Sequence, residues 1–191
     1  MRNVNAHLDK PKLNKNKYNS DSELSETEEE SSKKIIIHKT LLKDIADTLS
    51  SIISQNKNTK NQNNDFSHGH IPKITLFDYL LRIQKYSRIE NNTIIIALIY
   101  IDRICIKKGI TLTQYNIHRL LFTSILISIK YNEDIIYDNL YYSKIGGIPL
   151  AELNKLETEF LKMIGFGLFV SEEVYKKYYE YLNIDKNSYN D

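Results

Sequence analysis

From Ile117 to Lys130 the chain reads IHRLLFTSILISIK, and at about 100° per residue its large apolar side chains point in almost every direction. A helix of that composition has no wet face and must be surrounded by others. Ser124 and Ser128, spaced i, i+4, form a shallow column where a neighbouring helix can come close. The stretch then ends in charge, with Lys130 followed by Glu133 and Asp134. Residues 94–107 are also apolar on most sides, and Gly109 ends them. Around these two, shorter stripes predict amphipathic helices. Leu41, Leu42, Ile45, Leu49, Ile52 and Ile53 share one face of 35–53. Thr75 with Asp78 forms a capping box that opens a helix through Tyr86. Asp138 caps a short helix over 140–145 that Gly146 and Gly147 stop. After Pro149, Leu150, Leu153, Leu156, Phe160 and Ile164 make the stripe of a helix ending at Gly165, and a last helix covers 172–182. No run alternates with period two, so no sheet is expected. The pattern predicts an all-α fold, a five-helix bundle around a central helix with flanking N- and C-terminal helices.

Domain organisation follows from where apolar residues are missing. Residues 1–33 contain almost no large apolar side chains, cannot offset the entropy of ordering, and are expected to be a disordered tail. Residues 34–65 are expected to be the N-terminal amphipathic helix and a polar Asn/Lys linker. The compact domain with its C-terminal helix is placed at 66–182, and 183–191 is a tail. Within the first tail Ser20, Ser25 and Thr27 each have a Glu three residues on, which makes them candidate phosphosites for acidophilic kinases.

Composition mainly excludes. The 191 residues carry a net charge of +2 with Lys and Glu interleaved, unlike a nucleic-acid domain with its basic face, so no direct nucleic-acid contact is expected. Cys105 is the only cysteine, which rules out an intramolecular disulfide and a thiolate zinc site and fits a reducing compartment. The N-terminus lacks a signal-peptide core, and the apolar run 94–106 is too short for a bilayer and broken by Asp102 and Arg103. The expectation is an intracellular protein, cytoplasmic and/or nuclear, with no membrane partner. There is no glycine-rich phosphate loop, no kinase-type Lys and Asp set and no Ser/His/Asp constellation. His68 and His70 flank Gly69 in a loop and make a poor metal site. Neither a metal nor a cofactor is expected, and the chain is not expected to be an enzyme.

Five stretches, taken in order, resemble the cyclin box, and specifically the P-type (U-type) cyclins related to the yeast phosphate-response cyclin. They are FSHGHIPKITLFDYLLRIQKY from Phe66, IYIDRI from Ile99, NIHRLL from Asn116, IKYNED from Ile129 and YYSKIGGIPLAELNKLETEFL from Tyr141. The resemblance implies a regulatory subunit that forms a heterodimer with a cyclin-dependent protein kinase and activates it. It also implies that Lys130 and Glu157 are the kinase-contacting pair, with Glu133 and Asp134 at the same charged tip, Asp134 one helical turn beyond Lys130. On its own pattern Glu157 stands out, because Leu153 and Leu161 lie one turn either side of it and a carboxylate there needs a partner. Asp102, in the column Leu98, Asp102, Ile106, is expected to be half-buried. The resemblance pairs it with a basic residue near the start of the box's first helix, here Lys73, with Arg82 as the other candidate. The competing expectation is a cyclin-box scaffold or transcription-associated interaction protein with no kinase partner.

Overall fold

The computed structural model describes residues 28–57 and 64–184, and every described regular element is a helix. In order these are α1 (Glu28–Gln55), α2 (Leu76–Ser87), α3 (Asn91–Lys108), α4 (Ile117–Asn132), α5 (Asn139–Gly146), α6 (Leu150–Ile164) and α7 (Glu172–Ile184). The candidate phosphosites Ser20, Ser25 and Thr27 lie outside the described residues. α1 begins at Glu28, inside the stretch assigned above to the disordered tail. The added turns are rich in Glu and Lys, which favour helix without needing burial, so an apolar stripe alone underestimates where such a helix starts.

α4 is the axis of the molecule. Every residue from Leu120 to Ile129 is buried, and α3 and α6 pack along it. The serine column is where α3 approaches: Ser124 Oγ donates to the Ala97 carbonyl at 2.6 Å and Ser128 Oγ to the Thr93 carbonyl at 2.8 Å. Small side chains leave room for the neighbouring backbone, and the hydroxyls satisfy themselves on it. The start of α4 is fixed by buried Asn116, whose side chain accepts from the Thr113 amide and donates to the Thr111 carbonyl, both at 2.9 Å. α2 packs on α1 and α5, and α7 closes over α3 and α1.

The short helices follow their caps. Thr75 Oγ1 accepts from the Asp78 amide at 3.0 Å and donates to the Asp78 carboxylate at 2.7 Å, so α2 opens on a reciprocal cap. Asp138 accepts from the Tyr141 amide at 2.8 Å and starts α5. Gly146, at the end of α5, faces the buried ring of Phe122; a Cβ there would sit 2.5 Å from Phe122 Cε1. Because that ring is locked in the core, Gly146→Ala is expected to lower the unfolding free energy by about 1–3 kcal/mol in urea titration.

Candidate functional site

At the C-terminal end of α4, Lys130 Nζ donates to Glu157 Oε1 of α6 at 2.6 Å. The other carboxylate oxygen, Oε2, accepts from Asn139 Nδ2 at 2.7 Å, and the same amide nitrogen lies 2.7 Å from Asn154 Oδ1. Each part has a local cause. Lys130 occupies the last turn of α4, where the exposed carbonyls of a helix end favour a cation. Glu157 projects from α6 between Leu153 and Leu161, and its side chain is only 15% exposed. Asn139 is the first residue of α5, brought to Glu157 by the Asp138 cap. The carboxylate that needed a partner has two, and together they fix both side chains before anything else arrives.

Close to this pair along the chain, between residues 131 and 140, lie exposed apolar residues that the helical pattern did not single out. Tyr131 is 53% exposed, Ile135 65%, Ile136 51% and Leu140 49%. Four large apolar side chains left exposed within one short segment that carries Lys130's neighbour and Asn139's neighbour are more than the single scattered residues normal on a free surface. The sequence did contain a signal, since Ile135 and Ile136 fall between a helix with no polar face left to cover and the cap residue Asp138.

A family model described as Cyclin matches residues 9–168. The chain belongs to the cyclin family. Among its relatives, Cyclin-U4-1 of Arabidopsis thaliana is 35% identical over 153 residues, which cover 79% of this chain and 75% of that protein. Cyclin-U2-2 of the same plant is 42% identical over 114 residues, covering 59% of this chain and 50% of the relative. PHO85 cyclin-7 of Saccharomyces cerevisiae is 40% identical over 125 residues, 59% of this chain and 44% of that one. This cyclin is therefore of the U/P type, and it spans about half the length of most of these relatives. No described helix is long and apolar enough to cross a membrane.

Two details of the charged tip differ from expectation. α4 ends at Asn132 and Glu133 is extended, so Asp134 does not continue the Lys130 face but leaves the helix altogether, exposed. Glu133 turns away from the surface. Its Oε1 accepts from Thr93 Oγ1 at 2.5 Å and from the Glu90 amide at 3.3 Å, placing a carboxylate at the start of α3, where the helix dipole favours it. In this cyclin Glu133 ties the end of α4 to the beginning of α3.

The expected ion pair of Asp102 with Lys73 or Arg82 is absent. Asp102 is exposed on the side of α3 that faces α7, and it accepts from the Tyr178 hydroxyl at 2.5 Å. Lys73 is exposed at the start of α2, and Arg82 donates to the Lys144 carbonyl at 2.9 Å. The reason is placement: α2 packs on α1 and α5, whereas the Asp102 face of α3 meets the C-terminal helix. Burial and the neighbouring Asp102 carboxylate hold the Tyr178 phenol protonated far above its ordinary range. Cys105 lines a cleft between α1, α3 and α7 together with Asp102 and Tyr178, its thiol pushed up to about 11 by burial first and Asp102 second, so it stays protonated at neutral pH.

The histidines gather at the other end of α4. His118 Nε2 lies 3.1 Å from the Ile74 carbonyl, which can only accept, so Nε2 carries the proton. His118 Nδ1 is buried without a partner. His68 Nε2 and His70 Nε2 are 3.1 Å apart. Among the described residues no group of three or more His, Cys, Asp or Glu is arranged to hold a metal ion. Burial, only partly offset by the Ile74 carbonyl, lowers the His118 pKa from 6.5. A lowered folded value means the unfolded chain takes up protons first, so stability is full above the unfolded pKa and is lost as pH falls below it. Thermal unfolding should show the wild type losing stability from about pH 7.5 to about pH 5.5. His118→Gln, which keeps a donor for Ile74, should lose less over the same range; an equal loss in both proteins would exclude His118 as the cause.

Proposed function

We infer that this cyclin binds a cyclin-dependent protein kinase as its non-catalytic regulatory subunit and activates it. The observation that carries the reading is the Lys130–Glu157 pair, held by Asn139 and flanked along the chain by exposed Tyr131, Ile135, Ile136 and Leu140. Such a surface suits a partner with an apolar element to bury and main-chain groups to align on two ions. One relative is tied to a partner in its own name, PHO85, which supports the same assignment here.

The mechanism is allosteric. The surface would dock the mobile helix in the kinase's N-terminal lobe and favour its inward position, where the kinase's own Lys/Glu pair forms and the activation loop opens. Only differential affinity for that arrangement does the work. The exposed apolar residues supply most of the affinity, while the fixed ions set register, since charged pairs contribute specificity more than raw binding. An interface of roughly 1,600 Å² or more is required. Exposed Asp134 extends the reading: its carboxylate meets a basic residue near the activation segment and takes the place of a phosphate there.

Lys130→Ala with Glu157→Ala should weaken kinase capture by the tagged cyclin about tenfold or more while leaving its helical content unchanged, as checked by circular dichroism. Undiminished capture by the double variant would remove the surface from the reading. Asp134→Ala should leave capture largely intact and reduce the activity of an unphosphorylated kinase several-fold, on the order of a single lost charge-assisted contact.

A further inference from the structure

Three helical stripes face one space between α1, α3 and α7. Leu49 and Ile52 of α1, Leu98 and Ile101 of α3 and Leu182 of α7 give it apolar walls, and it holds about 450 Å³. That is the volume and lining of a site for one small organic molecule, and the space between packed helices is where such sites form. Among the described residues that line it, Asp102 is the only charged one. Its Oδ2 accepts from the Tyr178 hydroxyl at 2.5 Å, and no described Lys or Arg pairs with it. Arg103, next along α3, donates to the Gly167 carbonyl at 2.9 Å and does not line the space. A carboxylate beside apolar walls, with Oδ1 left over by Tyr178, favours a cation and disfavours an anion. The rings of Tyr178 and Tyr181 line the same space and add the electron-rich faces to which ammonium groups are drawn.

We propose that this cavity binds a small organic ammonium ion, an amine carried on a ring or chain of apolar carbons. The protonated nitrogen would donate to Asp102 and lie against the two tyrosine rings, and the apolar body would fill the space between the three helices. Charge complementarity selects this ligand: an acid of the same shape would set its carboxylate against Asp102, and a neutral molecule would gain nothing from that charge. The site is remote from the Lys130 surface. α3 runs antiparallel to α4, with Ala97 beside Ser124 and Thr93 beside Ser128. Asp102 therefore lies about 13 Å beyond Thr93 at the usual helical rise, in the direction away from Lys130. The inference goes beyond the kinase reading and is tested without a kinase.

The test is isothermal titration calorimetry at neutral pH with the full chain and naphthylbutylamine, against the alcohol and the carboxylic acid built on the same ring and chain. Saturable binding of the amine is expected, about tenfold or more tighter than the acid and several-fold tighter than the alcohol, with the gap to the acid narrowing as salt rises. Asp102→Asn, which keeps the shape and an acceptor for the Tyr178 hydroxyl, should weaken the amine about tenfold and leave the alcohol unchanged. Ile52→Lys, a cation introduced at an exposed position of the wall, should weaken the amine and strengthen the acid. Glu173→Gln removes a carboxylate of α7 that does not line the cavity and should change none of the three. No binding, equal binding of the three probes, or an Asp102→Asn variant that holds the amine as tightly as the wild type would overturn the proposal. So would an equal loss of amine and alcohol in Asp102→Asn, which would make Asp102 a support of the fold alone. Loss of amine binding in the presence of an equimolar peptide of residues 185–191, which includes Lys186, would overturn it as well, by making the chain's own C-terminal segment the occupant.

Discussion

A helix with no polar face cannot exist alone in water, and the rest of this cyclin is arranged to answer that constraint. α4 buries residues on all sides, so every packed neighbour is fixed by what α4 presents to it. The α3 seam shows how closely. Hydroxyls at Ser124 and Ser128 reach the Ala97 and Thr93 carbonyls, so the two backbones meet where a larger side chain would hold them apart. Directional bonds inside an apolar seam also fix the sliding position of one helix on the other, which dispersion forces alone leave soft.

That fixed axis is what lets two remote residues act as one. Lys130 and Glu157 are separated along the chain by a turn, a short helix and half of another, yet they meet at 2.6 Å because α4, α5 and α6 each end or begin where their caps dictate. Asp138 places Asn139, and Asn139 holds the second oxygen of Glu157. The pair is preorganised by backbone geometry rather than by its own modest attraction.

Most of the helices were legible because their signals are local. Caps at Thr75 and Asp138 and stops at Gly109, Gly147 and Gly165 depend on residues within a turn of one another. Glu157's need for a partner was equally visible from Leu153 and Leu161. What the chain did not reveal depends on which face of a helix meets which neighbour. Asp102 sits in an apolar-looking column, but its side chain meets α7, so its partner is Tyr178 rather than a basic residue of α2. The same holds for Glu133, which looked like part of a surface tip and instead reaches the start of α3. The N-terminal boundary of α1 carries no such signal for a different reason, since its first turns are helical without an apolar stripe to mark them.

The inward turn of Glu133 changes the character of the surface it left. With that carboxylate occupied at the start of α3, and Lys130 offset by Glu157, the exposed carboxylates left at this end are Asp134 and Asp138, and Asp138 is committed to capping α5. Little field then extends into solvent from this end of the molecule. An approaching partner would be captured by collision and contact rather than drawn in from a distance, and the speed of its arrival would depend only weakly on ionic strength.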